Sequence, residues 1–461
     1  MKSDKLFNAT NSLIIGISLL IFGIIMCIGK DKLYINFVNI FLIVILFLSI
    51  KQFLNYFIGK KNKKKISFNQ CFFNLIFCLI FSLFKNIPLS ILPIIFGLYL
   101  LFNSIIKFIN YYILLKSNAN GKLTEISLGL IYLVVSIPII FSPLKNLNKV
   151  LTIIGIYTIL LGVNYIIDFI TFIIPKRVKN KIRRNIRISL PVFIEAIIPY
   201  TVLNEINYLL DKDNYDKPFV FEEKSEAIPA DLEVFVHISN RGFNRMGHVD
   251  LCYKGKVISY GNYDDKSVKL KTMIGDGVIF TTTKEKYIPF CIKHSKKTIF
   301  VFGLKLTERQ RKNIEKTIDK LFDNVYCWEP PYLQEKGRKK LANANKHNDY
   351  ASKLYQATNA KFYKVKSGRF KHYFVLGSNC CKLADYIIGK SGIDLLKMNG
   401  IITPGTYYEY LNREFQKKNS MVVSRKIYNS KNVNKNLKTV FKGFSKWSTN
   451  KKSVQFDTFY Y

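Results

Sequence analysis

Acidic residues are scarce in this chain. Only 31 Asp and Glu stand against 70 Lys and Arg in 461 residues, a formal net charge of +39. Histidine is scarcer, with five copies. No Cys-x-x-Cys pair occurs, and no His at ligand spacing surrounds the adjacent pair Cys380–Cys381, so neither a metal nor another cofactor is expected. The eight cysteines are scattered, three of them in long apolar runs (Cys27, Cys71, Cys78), which argues against a disulfide framework. No small-residue cleavage site follows the first apolar run, so no removable signal peptide is expected.

What is present is apolar and aromatic. The chain has 37 Phe and 28 Tyr, and its mean hydropathy is +0.09. A disordered basic chain would lack those rings. An ordinary soluble domain would not average this apolar. The charge therefore points to nucleic acid or to a membrane with positively charged edges. Residues 1–187 hold 23 basic and four acidic residues, and the rest hold 47 and 27. The excess is thus shared about equally. Its setting differs: long apolar runs with charged gaps come first, and a mixed sequence follows.

Six runs approach the roughly 20 residues a membrane helix needs, at 9–29, 33–58, 68–84, 88–115, 123–143 and 149–174. None carries the polar stripe of a buried soluble helix. Sixteen loop Lys and Arg fall on one side, in the N-terminal tail, 60–65, 116–122 and 176–187, and five on the other. That asymmetry puts both termini in the cytoplasm. Gly16 and Gly23 match Gly155 and Gly162 at the same spacing of seven, with Gly97 and Gly129 in similar settings. Glycines so spaced let helices pack closely. The pattern resembles the HdeD-like short-repeat membrane proteins. That resemblance covers about 1–175 and implies a six-span helical module.

Residues 176–230 read as a basic collar on anionic inner-leaflet lipid followed by a linker. From 231 the pattern turns to strands. Residues 232–239 form a short apolar run. Residues 246–265 read as a hairpin with strands at 248–253 and 256–260. A strand is expected at 298–303, a helix capped by Thr307 at 306–322, a loop at 329–350, and a helix at 349–358. Strands follow near 361–366 and 370–376. The segment 377–389 then reads as strand end, turn and helix, with Ser378 or Asn379 as cap. A further helix is expected at 401–415. Residues 421–461 read as a basic tail.

Cys380 falls in the first turn of that helix. There the helix dipole and free N–H groups favour a thiolate and can hold an oxyanion. A nucleophilic thiol needs a base, and His248 lies in a strand within the segment "GHVDLCYKGKVIS". Together with "SNCCKLADYI" this resembles the circularly permuted papain-like cysteine enzymes of the NlpC superclass, which include the lecithin:retinol acyltransferase-like proteins. The match covers about 231–415. It implies Cys380 as nucleophile, with Cys381 as the fallback, and His248 as general base.

The group also has a polar residue that orients the imidazole, and this sequence departs from the pattern there. A two-residue turn at 254–255 would bring Ser259 to the His248 face, whereas a three-residue turn would bring Asn262. Asn262 is the better orienter chemically and is preferred. The expected architecture is an all-α six-helix transmembrane domain (1–175), a collar and linker (176–230), an α+β permuted papain-like domain (231–420) and a basic tail (421–461).

The expected function is a membrane-anchored cysteine hydrolase or acyltransferase. It would act on an ester, thioester or amide of an acyl or peptide substrate at the cytoplasmic face. The alternative is a non-catalytic domain that binds a partner or lipid. The charge run Lys336, Arg338, Lys339, Lys340 reads as a solvated face, and no specific nucleic acid is expected as partner.

Overall fold

The apolar runs fold as helices in a computed structural model of the protein: α1 Lys2–Ile58, α2 Asn86–Lys116, α3 Lys122–Phe141 and α4 Leu147–Ile173. The structure describes residues 2–58, 72–173 apart from a few positions before Asn86, 219–224, 229–238, 247–293 apart from 271, 298–336, 349–390, 404–416 and 420–429. The chain divides into two units. One consists of Ser12–Tyr111 with Gly121–Ile167, and the other holds the sheet.

Among the described residues of the helical unit, four stretches are long and apolar enough to cross a membrane: Asp31–Lys51, Asn86–Lys116, Lys122–Phe141 and Leu147–Ile167. Leu13–Gly29 is a shorter apolar stretch. Phe37, Phe47, Val134 and Phe141 are exposed on the outer surfaces. Apolar surface on that scale calls for a lipid neighbour.

Against the six expected spans, the described residues hold four to five apolar helices. The first two runs lie within α1, and the charged triplet Lys30–Asp31–Lys32 does not end it. No proline interrupts the helix there, and Gly29 alone costs only about 1 kcal/mol. At the junction the Asp31 N–H donates to Asn148 Oδ1 at 3.0 Å, and the Lys32 N–H donates to Asp31 Oδ1 at 2.9 Å. The run at 68–84 lies partly outside the described residues. Its described positions are helical as far as Leu83.

The repeated glycines meet one another. A Cβ placed on Gly16 would lie 3.1 Å from the Gly162 carbonyl oxygen, and one on Gly23 would lie 2.7 Å from that of Gly155. α1 and α4 therefore pack antiparallel, backbone against backbone. Gly97 faces Ile139 and Ile140 of α3, and Gly129 faces Lys107 and Phe108 of α2. Ser104 Oγ donates to the Gly129 carbonyl at 2.8 Å, and Lys107 Nζ pairs with Glu125 Oε2 at 2.9 Å.

A leucine at Gly155 would meet Cys27 Sγ at 2.6 Å and Gly23 O at 2.8 Å from its first side-chain atom. Gly155→Leu should cost about 1–3 kcal/mol by overpacking. A lowered melting temperature in detergent checks this. Gly389→Ala, a site with no atom within 4 Å of the added carbon, serves as the control. Equal melting of the two variants would refute the contact.

The described residues of the second unit form eleven strands: β1 Phe219–Lys224, β2 Leu232–Ile238, β3 His248–Tyr253, β4 Lys256–Gly261, β5 Ile274–Asp276, β6 Val278–Thr283, β7 Thr298–Leu304, β8 Val325–Cys327, β9 Lys361–Val365, β10 His372–Phe374 and β11 Val422–Asn429. Nine of them form one antiparallel sheet in the order β1-β11-β7-β2-β3-β4-β6-β9-β8, and β5 pairs with β10. The helices are α5 Lys284–Lys293, α6 Glu308–Asp323, α7 Pro331–Lys336, α8 Tyr350–Thr358, α9 Cys380–Lys390 and α10 Pro404–Gln416.

Alternation along β3 divides its side chains between two cores. Val249, Leu251 and Tyr253 pack with Ile314 of α6, Leu383 of α9 and Tyr407 of α10. Cys252 packs with Tyr287 of α5 and Leu354 of α8. A capping box between Thr307 and Gln310 starts α6, as Thr307 implied.

Three segments differ from the sequence reading. Val422–Asn429, expected in the tail, is strand β11 between β1 and β7, and Phe219–Lys224, expected in the linker, is its partner β1. Burial of Val422, Val423 and Ile427 explains the strand. The expected loop at 329–350 contains α7. The collar, most of the linker and residues 430–461 lie outside the described residues.

Candidate functional site

The site starts from a two-residue turn. Lys254 and Gly255 carry φ of +50° and +76°, the left-handed pair of a type I′ hairpin. Leu251 consequently pairs with Ile258, and Tyr253 with Lys256. One step further along the same register, Asp250 stands beside Ser259. His248, Asp250 and Ser259 then share one face of the sheet. On the other side of β3, His237 of β2 is the direct partner of His248. Their rings lie 5.9 Å apart.

Three oxygens surround His248 Nε2. Asp250 Oδ1 lies at 2.9 Å, Ser259 Oγ at 2.9 Å and the Tyr263 hydroxyl at 3.0 Å. Ser259 and Tyr263 are themselves 2.7 Å apart. The second carboxylate oxygen, Asp250 Oδ2, takes His237 Nε2 at 2.7 Å and the Tyr287 hydroxyl at 2.7 Å. The Asp250 side chain is fully buried. A buried carboxylate is tolerable only with partners of this kind.

Asn262, the preferred orienter, does not join this group. Its side-chain amide donates to the Thr272 carbonyl at 2.7 Å. The preference rested on a three-residue turn, and the turn has two residues. Ser259 faces the imidazole as the shorter turn required. The carboxylate of Asp250 was not anticipated, although the spacing His-x-Asp on a strand places both side chains on one face.

Cys380 begins α9. Asn379 caps the helix, accepting from the Lys382 N–H at 2.9 Å and donating to the Val375 carbonyl at 2.8 Å. The N–H groups of Cys380 and Cys381 fall in the first turn, where the helix supplies no acceptor. Cys380 packs in the core on the Val249 face of the sheet. It reaches the imidazole around the start of β3, where its sulfur also accepts from the Val249 N–H and is hydrogen-bonded to Tyr373.

The charges fit this arrangement. The Cys381 thiol, hydrogen-bonded to Cys380, lowers the Cys380 pKa most. Burial opposes that effect, and the nearby His248 adds to it, leaving Cys380 well below an ordinary thiol. Burial and the Cys380 charge push Cys381 well above it. Burial would depress the His248 imidazolium, but the charges of Cys380 and Asp250 outweigh it and raise its pKa to about 10. Burial opposes ionisation of Asp250, yet His248 and His237 hold it well below the usual carboxylate range. These directions favour a thiolate beside an imidazolium, backed by a carboxylate. The thiol is 4% exposed and the His248 side chain 18%.

Tyr407 and Tyr408 are buried in the core, and His372 contacts Asp276 at 3.5 Å. The six described cysteines Cys27, Cys252, Cys291, Cys327, Cys380 and Cys381 are free thiols. No group of three or more His, Cys, Asp or Glu among the described residues is arranged to hold a metal ion.

Comparison with known proteins reaches the helical part of the chain. Residues 70–141 match a family described as a short repeat of unknown function (DUF308). No curated protein matches the chain, and no solved structure does. The family match and the apolar helices together support a multi-pass membrane protein.

Proposed function

We propose that this membrane protein carries a cysteine-dependent hydrolase or acyltransferase of the permuted papain-like kind, acting on an ester, thioester or amide. The observation that carries the reading is a buried thiol paired with an imidazole that is itself held by a buried carboxylate. The order of elements, His strand before Cys helix, supports it. Nε2 of His248 is occupied by oxygens, which leaves Nδ1 for the thiol.

The thiolate of Cys380 attacks the carbonyl carbon. The oxyanion is received by first-turn N–H groups of α9. His248 gives its proton to the departing oxygen, sulfur or nitrogen, and an acyl-thioester remains. His248 then takes a proton from water or another acceptor, which attacks the thioester and expels the thiolate.

The loop charges support a cytoplasmic position for both termini and this site. Anionic inner-leaflet lipid is the surface there, and an acyl or peptide group is the substrate. A second reading, a non-catalytic domain that binds a partner or lipid, is favoured by the low exposure of Cys380.

One labelling experiment tests chemistry and side together. Cys380 should react with a charged, membrane-impermeant thiol reagent in inside-out vesicles and not in sealed right-side-out ones. Its rate should stay nearly level from pH 8 to 6. An ordinary cysteine loses about tenfold per unit below a pKa of roughly 8.5. Ordinary pH dependence sinks the enzyme reading. Labelling from the outside overturns the orientation.

A further inference from the structure

Asp250 has two oxygens with different partners. Oδ1 forms an ion pair with His248, while Oδ2 forms one with His237 Nε2 at 2.7 Å and accepts from the Tyr287 hydroxyl at 2.7 Å. His237 and Asp250 are 1% exposed, as is Tyr287. β2 supplies His237 and α5 supplies Tyr287, so the two partners come from separate elements. The rings of His237 and Tyr287 meet edge to face at 5.7 Å, which fixes their mutual angle.

We propose that His237 and Tyr287 are positioning residues, a clamp of one ion pair and one hydrogen bond that keeps Asp250 ionised with Oδ1 turned to His248. This rests on the hydrolase reading above. A carboxylate with one occupied oxygen could rotate or take a proton. Two partners on Oδ2 oppose both changes, because an ionised oxygen in this orientation attracts them more strongly than a protonated acid does. With Oδ1 thereby fixed, the His248 proton at Nε2 has a set direction, and Nδ1 stays toward the thiol. The clamp acts through Asp250 and does not touch the reacting atoms.

Other ionisable groups around Asp250 do not supply this. Tyr263 meets His248 and Ser259. Tyr350 lies close enough to feel the Asp250 charge, but its hydroxyl is bonded to Tyr287 and Cys291. Burial raises both tyrosines well above their ordinary range, so they remain neutral. Cys380 lies beyond His248. His237 and Tyr287 are therefore the groups whose loss should free the outer oxygen.

The test uses the full chain in detergent. Iodoacetamide alkylation of Cys380, read by mass spectrometry, and hydrolysis of a p-nitrophenyl acyl ester are followed from pH 4 to 10. For His237→Leu we expect the acid limb to move up by about one unit. We expect kcat to fall roughly ten- to hundredfold with KM unchanged. His237→Gln keeps one N–H donor and should stay within about threefold of the native chain. Tyr287→Phe removes a single hydroxyl with little change of shape, and should shift the limb in the same direction even if His237→Leu fails to fold.

A native acid limb in Tyr287→Phe or in folded His237→Leu overturns the clamp. So does an equal loss in His237→Gln and His237→Leu. Alkylation reads the clamp without turnover. A native chain with a depressed alkylation limb and no hydrolysis sinks the hydrolase reading while the variants still decide the clamp.

Discussion

Cys380→Ala should abolish covalent labelling by a thiol-directed acyl mimic and reduce turnover by about a thousandfold or more. The argument is chemical. No other described thiol combines a helix N-terminus, an imidazole and a depressed pKa. Cys252, on the other face of β3, is pushed up to about 12, by burial first and by the charge of Glu233 second.

Cys381→Ala separates the neighbours. Cys381 is fully buried and donates to the Cys380 sulfur. Its loss removes the largest influence that lowers the Cys380 pKa. Labelling should persist in that variant, with its pH midpoint moved upward. Labelling that survives Cys380→Ala, or moves entirely with Cys381, would refute the assignment of the nucleophile.

Asp250→Asn should have the next largest effect. An amide oxygen can accept from one imidazole, but the amide nitrogen can only donate. One of the contacts to His237 and His248 then becomes donor against donor, or forces a different tautomer. By analogy with the orienting carboxylate of a serine triad, kcat should fall about a hundred- to ten-thousandfold. Breaking a buried charged network in this way also destabilises by about 3–5 kcal/mol. Activity measured well below the lowered melting temperature separates the two effects.

The pH signs follow from the directions. His248 is raised from 6.5 to about 10, so its contribution to stability is complete below about 6.5 and is lost as pH rises through about 10. Asp250 and Cys380 are depressed. Their contributions are present above the ordinary values and are lost as pH falls through the lowered ones. Asp250→Asn removes one charge that raises His248, so the alkaline limb of activity should move down. An unchanged alkaline limb would mean that Asp250 does not act through His248.

Much of this site was legible. The position of Cys380 at a helix start came from the turn residues before an apolar helix. Strand placement of His248 came from its alternation. Asp250 was equally available, since two residues on from His248 is the same face of the same strand. It was passed over because the orienting group was sought on the following strand. Asn262 and Ser259 turned on a single residue of hairpin length. Either could be drawn from the sequence, and the left-handed conformation of Lys254 decided for Ser259. His237 gave only the signal of a histidine in a strand.

The helical unit shows the same division. The glycine spacing of seven was visible as a repeat, but its use, Gly16 on Gly162 and Gly23 on Gly155, is an antiparallel contact across more than a hundred residues of chain. Composition and local pattern by themselves determined the apolar helices, the sheet that follows them, and the order of histidine strand before cysteine helix. These depend on the period of a few neighbouring residues. The tertiary structure alone decided that β11 enters the sheet beside β1, that His237 meets Asp250, and that the thiol reaches the imidazole around the start of β3. Those outcomes depend on register and packing between distant segments, where one residue of slip exchanges the two faces of a strand.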